Sequence, residues 1–514
     1  MLVEGYTTLT VNNVQWLVKD AAHPVVKEHV IAQLSSETFF NHCVSIKRGK
    51  HKSLWLFTPP AGQDDESFLI KRYENKQLLH RLKTLVMPSK ALQELKAARG
   101  IDQREILTPL PVAVGERMTG RMVKESLVVL SKLKACQALN AYFLIGYPGG
   151  KSPHNLLEKR KIIKALGEVA RKAHQAGVLQ SDFSLNNFLL TKDAHGEIMI
   201  YLSDFEKITL KDALSFDQEV TCLAKLNRIG REISLADRWR FLQAYTGNQS
   251  NHDQVAALAR AVRKRTVELL KQDYSRGRIT SVYTDALYEK YEEANITGYF
   301  KKGYSVKDIL GIIHKFDLLA KSLPSSEIKQ REEITVGLNF EGTQQPLKAV
   351  RYIPHTQTIS ARTLWTTIST LAIAGLPIDI PHALIDMRVK SNQEGFLFIP
   401  QREHAVDLST FLTASRDKKE IFLLLELLVM LMKKLHHFGI FSDSMTARNF
   451  TVLATTGKKP SLYLSTIETF TMKNQVTENE KKRDIMLLSA LIKKHCPTLT
   501  YDLTHRYFKT PYSH

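Results

Sequence analysis

An α+β fold in two tandem copies is what this sequence of 514 residues predicts, and three observations predict it. Residues 174–206 align with 436–468 without a gap, so that Gly177 falls on Gly439, Asn187 on Asn449, Phe188 on Phe450, Tyr201 on Tyr463 and Glu206 on Glu468. An internal repeat at this spacing argues for two copies of one domain. Strand-like stretches at 43–58, 68–73, 111–118 and 122–130 precede long helical ones. Between them and the end of the first copy, an amphipathic helix runs into a short loop carrying Asp182 and Asn187, and a hairpin of two apolar strands then delivers Asp204.

The composition is that of a globular chain, with 43% hydrophobic and 24% charged residues. The longest apolar run, Ile421 to Met432, is interrupted by Glu426 and falls short of the about 20 residues that a bilayer span requires. Glu4, Lys19, Asp20 and Glu28 punctuate the start with no basic segment feeding an apolar one, so no signal peptide is expected. Cys43, Cys136, Cys222 and Cys496 are too scattered for a disulfide framework or a metal cluster, which fits a reducing cytoplasm. A net charge of +20 suggests an anionic partner. Nucleic acid is not expected, because aromatic residues do not interleave with basic ones and no binding motif is visible. An anionic membrane or lipid surface ranks first, beside a basic surface with no specific partner.

In chain order, residues 1–34 read as mixed strand and helix. Residues 43–58 read as two strands about a basic turn at Arg48, Gly49, Lys50 and His51. A glycine-rich GxGxxG loop is absent, so Gly49 is a turn residue and the basic tip an optional phosphate contact. An acidic loop leads to the strand Phe68–Tyr73, which carries Lys71, and a helix follows from about Ser89 to Arg99, with Glu94 in its second turn and Gly100 as its stop signal. A strand lysine that reaches phosphates must be held by a carboxylate on the next helix, which makes Lys71 and Glu94 the natural pair. Phosphoryl transfer also needs a carboxylate to orient the attacking hydroxyl, and an amide oxygen and a second carboxylate to hold magnesium. Asp182, Asn187 and Asp204 supply those groups at the right spacing. Such residues also suit ordinary turns and caps; it is their order behind Lys71 and Glu94 that favours a site. A basic helix at about Asp253–Lys271, with Arg260, Arg263, Lys264 and Arg265, closes the first copy. Its basic face is either solvated or the first candidate for a membrane contact.

In the second copy the chemical positions change. Val350 stands at the place of Lys71 and Trp365 at that of Glu94, Ser444 at that of Asp182 with Asp443 displaced by one residue, and Thr466 at that of Asp204. Losing a lysine and its carboxylate together is coherent, because either one buried alone carries an uncompensated charge. Lys348 restores the lysine if the register slips by two, which keeps the strand face. The helix near 421–438 reads as the buried centre of a large lobe, with His436 and His437 as capping residues.

The Asp182 to Asn187 spacing, followed by a strand ending in Asp204 and Phe205, resembles the catalytic loop and metal-binding segment of the protein-kinase-like fold. Gln180, Ser181 and Asp182 stand where protein kinases have His-Arg-Asp, and Asp204, Phe205 and Glu206 where they have Asp-Phe-Gly. The order from Phe68–Tyr73 through the helix at Ser89 to residues 100–116, with later runs at 222–231 and 237–245, resembles the lipopolysaccharide core kinases, the Kdo kinase and WaaP-like family. The resemblance covers about residues 35–248. Together with the internal repeat, it implies two tandem protein-kinase-like domains, each with a small β-rich lobe and a larger helical lobe: residues 1–275 with the catalytic set, and 276–514 a degenerate pseudokinase. It implies ATP and Mg2+ as cofactors and a Kdo or heptose sugar of the lipopolysaccharide core glycolipid as acceptor. The place implied is the cytoplasm, with peripheral contact at the inner membrane. Carried over by position, Lys71 contacts the phosphates and Glu94 holds it, Asp182 is the catalytic carboxylate, and Asn187 and Asp204 are metal ligands. No Ala-Pro-Glu sequence follows Asp204, which favours a sugar or lipid acceptor. A kinase of a protein or another small molecule, and a non-catalytic scaffold, remain the alternative readings.

Overall fold

The computed structural model describes the chain apart from residues 1–2, 23–25, 35–36, 50, 60–66, 146–152, 248–250, 278–285, 323–330, 342, 353–358, 390–391, 416, 443, 455–458, 498, 500 and 510–514. Most of the acidic loop before Phe68, the tip residue Lys50 and Asp443 therefore lie outside the described residues. The chain divides into two compact units, the first made of Met1–Tyr142, Gly149–Leu226 and Leu235–Ala259, the second of Phe143–Pro148, Asn227–Ser234 and Arg260–His514.

The first unit is built on seven antiparallel strands: β1 (Tyr6–Val11), β2 (Val14–Lys19), β3 (Val44–Arg48), β4 (Lys52–Phe57), β5 (Phe68–Glu74), β6 (Pro111–Thr119) and β7 (Met122–Ser131). They lie in the order β1-β2-β6-β7-β5-β4-β3. Alternation along each strand sends neighbouring side chains to opposite faces. One face buries Trp16, Phe57, Phe68, Ile70 and Val129 against Val26, Ile31 and Phe39. On the other, Leu69, Tyr73, Val114 and Val128 pack against Ala91 and Leu95 of the helix Lys90–Asp102. Lys71 shares that second face.

Behind the sheet come β8 (Gln137–Ala138), the helix Pro153–Gln175, β9 (Val178–Gln180), β10 (Phe188–Lys192), β11 (Ile198–Leu202) and β12 (Ile208–Leu210). β10 pairs with β11 and β8, and β12 with β9. The helix-to-β9 turn requires glycine: Gly177 has φ +71°, and a Cβ there would sit 1.8 Å from the Lys211 carbonyl oxygen. Gly100 does not stop its helix, which runs on to Asp102. Its missing side chain instead lets Leu210 pack close, since a Cβ would lie 2.2 Å from the Leu210 Cδ1.

The second unit has six antiparallel strands: β13 (Tyr288–Glu293), β14 (Ile296–Lys301), β15 (Arg331–Phe340), β16 (Thr343–Tyr352), β17 (Ala383–Val389) and β18 (Asn392–Pro400), in the order β13-β14-β17-β18-β16-β15. That is the order of the first sheet without β3. Helix Ala361–Ile373 covers one face through Leu364, Trp365 and Ile368, and Ile309, Ile312 and Ile313 of helix Val306–Ser322 cover the other. Then β19 (Ala405–Asp407), β20 (Ile440–Ser442), β21 (Phe450–Leu453), β22 (Ser461–Leu464) and β23 (Phe470–Met472) pair as β19-β21-β22 and β20-β23, matching β8-β10-β11 and β9-β12. Helix Lys418–His437 buries Leu424, Leu425, Leu428, Met432 and Leu435. Its His436 is not a cap: the ring is buried and bonded to Tyr507 and Asp484 side chains, because the face that carries it turns inward.

The basic helix spans His252–Ser275. The division between units falls within it, as Val267 and Leu270 belong to the core of the second unit. No helix among the described residues is long and apolar enough to cross a membrane, and the four cysteines are free thiols.

Candidate active site

β5 and the helix Lys90–Asp102 set the first half of the site. Ser89 caps that helix by accepting from the Leu92 N–H at 3.2 Å. The cap fixes the helical phase so that Glu94, fully buried, faces the sheet. Lys71 Nζ reaches Glu94 Oε2 at 2.8 Å and lies 3.9 Å from Asp204 Oδ1. The pair predicted from spacing therefore forms, and the β10–β11 hairpin brings Asp204 to it.

Asp204 sits in the left-handed region at φ +61°, a conformation few residues besides glycine tolerate but Asn and Asp enter more readily. Gln180 holds this backbone. Its Nε2 donates to the Ser203 carbonyl at 2.8 Å and to the Asp204 carbonyl at 2.9 Å. The departure from histidine at this position thus places an amide where it clamps the loop of Asp204. Asn187 Nδ2 donates to the Asp182 carbonyl at 2.7 Å, which leaves the amide oxygen uncommitted among the described residues. The Asn187 carbonyl accepts from the Ser203 backbone N–H at 2.8 Å and from its hydroxyl at 3.0 Å, tying the Asp182 loop to the approach to Asp204. Asp182 is half-buried, with Lys207 Nζ 3.9 Å from its carboxylate.

Three site residues escaped the sequence reading. Tyr73 follows Lys71 by two on the same strand face, and its hydroxyl bonds Glu94 and, at 2.5 Å, Glu206. Lys52, opposite Tyr73 in the β4–β5 register, donates to Glu206 and lies 3.8 Å from Asp204 Oδ1. Burial works against the Lys52 charge, but the bond to Glu206 and the charges of Asp204, Glu206 and Glu94 outweigh it and raise its pKa. Burial likewise pushes Glu206 up, while bonds from Lys52 and Tyr73 and the two lysine charges bring it below the ordinary glutamate value. The signal for Glu206 and Tyr73 was their presence in both halves of the chain; no motif announced Lys52.

Carboxylate oxygens of Glu94, Asp204 and Glu206 lie within 4.8 Å of one another. An all-oxygen cluster of this kind suits a hard divalent cation. Two lysines beside it suit phosphate oxygens.

The corresponding place in the second unit is arranged differently. Ser360 caps its helix as Ser89 does, accepting from the Thr363 N–H at 3.1 Å, and five residues on stands fully buried Trp365. Val350 is buried where Lys71 would be, and Lys348 pairs instead with Glu333 at 2.8 Å, outside any such cluster. Asn449 spends both ends of its amide internally, its oxygen accepting from the Thr446 N–H at 2.6 Å and its nitrogen donating to the Thr466 carbonyl.

A strand lysine paired to a helix carboxylate, beside an acidic loop able to take a cation, defines a phosphotransferase of the kinase class. Residues 64–245 match the family described as "Lipopolysaccharide kinase (Kdo/WaaP) family", and by that match the protein is an enzyme, an ATP-dependent kinase. Lys71, Glu94, Asp182, Asn187 and Asp204 all fall inside the matched span. A solved structure titled "WaaP in complex with acyl carrier protein" is similar at 20% identity over 44% of this chain and 88% of that chain, with a TM-score of 0.33. No curated protein matches the chain.

Proposed function

We propose that the first unit transfers the γ-phosphoryl group of ATP to a hydroxyl of a lipopolysaccharide inner-core sugar, Kdo or heptose. The second, residues 276–514, is read as a degenerate copy of the same kinase-like domain. The observation that carries the reading is Lys71, held at 2.8 Å by buried Glu94 and 3.9 Å from Asp204. The acceptor class rests on the family match, and a glycolipid acceptor accords with a basic protein of net charge +20 that works peripherally at the cytoplasmic face of the inner membrane.

The donor set fits magnesium and a triphosphate. Asp204 and the free amide oxygen of Asn187 would hold the cation, with Glu206 near enough to take part. When bound, magnesium neutralises phosphate charge. Lys71 places a fixed positive charge against the phosphates, and Glu94 keeps it there. Asp182 orients the acceptor hydroxyl and takes its proton as the hydroxyl oxygen bonds the γ-phosphorus and the bond from that phosphorus to the β,γ-bridging oxygen breaks, ADP leaving. Gln180 keeps Asp204 in its left-handed geometry.

In the second unit Val350, Trp365, Ser444 and Thr466 supply no lysine, no pairing carboxylate, no base and no second metal ligand. The shared strand order and the matching Ser89 and Ser360 caps support common architecture; the replaced groups support loss of catalysis.

The test is phosphate transfer from labelled ATP. Purified core glycolipid should accept label, and Asp182→Asn should stop it. Label in peptides alone would replace the acceptor, and absence of magnesium-dependent ATP binding would favour a scaffold.

A further inference from the structure

Between the strand that carries Lys71 and the helix that carries Glu94 lies a segment the site does not use. Its short helix, Leu78–Lys83, buries no residue. Val86 is 89% exposed, Leu79 71% and Leu78 62%, and Leu82, Leu85 and Met87 are exposed with them. Monomeric proteins rarely leave such a contiguous apolar group in water without a use for it.

The backbone beneath the patch is well tied. Thr84 Oγ1 accepts from the Val123 N–H at 2.9 Å and donates to the Arg81 carbonyl at 2.6 Å, and Arg81 Nε donates to the Asn75 carbonyl at 2.8 Å. The apolar side chains above that backbone are presented outward. Around them stand Lys76, His80, Arg81, Lys83 and Lys90, and from Asn75 to Gln93 the chain has no acidic residue.

We propose that residues 76–90 form a docking tip for an anionic lipid surface: Leu78, Leu79, Leu82, Leu85, Val86 and Met87 enter the headgroup–acyl boundary while the surrounding lysines and arginine meet lipid phosphates. Apolar side chains ringed by long basic ones are the composition that interfacial segments use, because the stems lie along hydrocarbon and the charges stay in the headgroup layer. A second copy of this chain is a poor occupant, since it would bring the same cluster of positive charge against itself. The tip also replaces the basic helix at residues 260–265 as the first membrane candidate, for among the described residues that helix exposes no large apolar side chain.

The placement has a consequence for the site. The tip joins directly to β5 and to the helix Lys90–Asp102, so a lipid surface gripping it holds both ends of the Lys71–Glu94 pair. This deepens the glycolipid-kinase reading and rests on it only for its purpose; lipid docking itself is measured without nucleotide.

The full chain is sedimented with phosphatidylcholine–phosphatidylglycerol vesicles and with pure phosphatidylcholine. Binding is expected to the anionic vesicles and to weaken with salt. The pair Leu79→Asp and Val86→Asp, both at exposed positions, should lower partition at least about thirtyfold. Lys76, Lys83 and Lys90 changed together to Gln, with Arg81 kept because it ties the backbone, should lower it at least about tenfold. Circular dichroism and magnesium–ATP titration accompany each variant. Wild-type protein that ignores anionic vesicles, or a double-Asp variant that binds them equally well, overturns the proposal. So does a change in oligomeric state in that variant with no vesicle binding by the parent, which would assign the patch to a protein interface. Failure of the parent to bind ATP while vesicle binding persists would instead sink the kinase reading alone.

Discussion

Tyr352 donates its hydroxyl to Glu468 at 3.0 Å, the same contact that Tyr73 makes with Glu206 at 2.5 Å. In the second unit the contact recurs without the catalytic groups around it, since Val350, Trp365 and Thr466 stand where Lys71, Glu94 and Asp204 do. A tyrosine–glutamate bond that does not need the lysine pair is a structural tie from a central strand to the loop after the second hairpin. The proposed function assigns nucleotide chemistry to the first unit alone. Asp204→Ala should lower ATP turnover by about a thousandfold or more, because it removes a cation ligand and one focus of transition-state charge. Thr466→Ala should leave turnover unchanged. Turnover and melting temperature measured together for both variants check this.

Lys71→Ala should cost stability as well as activity. Its partner Glu94 is fully buried, and removing one member of a buried ion pair typically costs about 3–5 kcal/mol because the remaining charge has no counterpart. Tyr73 still bonds Glu94, so the loss should sit at the lower end. Replacing both, as Lys71→Val with Glu94→Leu, should restore most of the stability and none of the activity. Chemical denaturation of the single and double variants reads this directly. The second unit already contains the apolar solution, with Val350 and Trp365 both buried.

The pairing of Lys71 with Glu94 was legible because two local rules meet there. A strand ends, a Ser-capped helix begins, and the cap dictates which helical residue faces the sheet. The β10–β11 hairpin was legible for a similar reason, as two apolar runs about a turn leave little choice of register. Lys52 was not legible. Its role depends on which strand lies beside β5, and in a sheet ordered β1-β2-β6-β7-β5-β4-β3 that neighbour is set by tertiary pairing. Gly100 misled because glycine ends helices by its backbone freedom but also serves, as here, where a neighbouring side chain needs the space. His436 misled likewise: a histidine at a helix end suits a cap, and only the packing of Asp484 and Tyr507 reveals it as a buried hydrogen-bonding group.

Lys52 should act as a second phosphate-contacting cation in a site with no glycine-rich loop. Without nucleotide its charge is spent on Glu206 and Asp204, two groups that a bound cation would engage. Lys52→Gln should therefore weaken magnesium–ATP binding by about tenfold to a hundredfold, the loss of one charge-assisted contact, with the melting temperature nearly unchanged because Lys52 is partly exposed. Calorimetric titration checks it. Equal affinity in the variant would return Lys52 to a merely structural ion pair.

His174 offers a pH test that uses the repeat itself. Its ring is buried, Nδ1 bonds the Tyr245 hydroxyl at 2.9 Å, and Nε2 has no hydrogen-bond partner among the described residues. Burial drives its pKa down from 6.5 to about 4. A histidine whose folded pKa lies below its unfolded value is neutral in the fold and takes up a proton more readily when unfolded. Between about pH 6.5 and 4 the unfolded chain therefore binds more protons, and stability falls as pH falls, by up to about 3 kcal/mol once below both values. In the second unit the equivalent His436 does have a partner for Nε2, Asp484 at 3.0 Å, which also accepts from the Ser442 N–H. Cys222 occupies the place of Asp484 in the first unit, 48 residues after the histidine in both cases. Cys222→Asp should supply a carboxylate to Nε2, raise the His174 pKa toward its unfolded value and flatten the acid limb. Melting curves of the parent and variant at pH 8 and pH 5 decide it: the parent should lose more on acidification than Cys222→Asp. An equal loss in the two would mean that His174 does not carry the acid sensitivity.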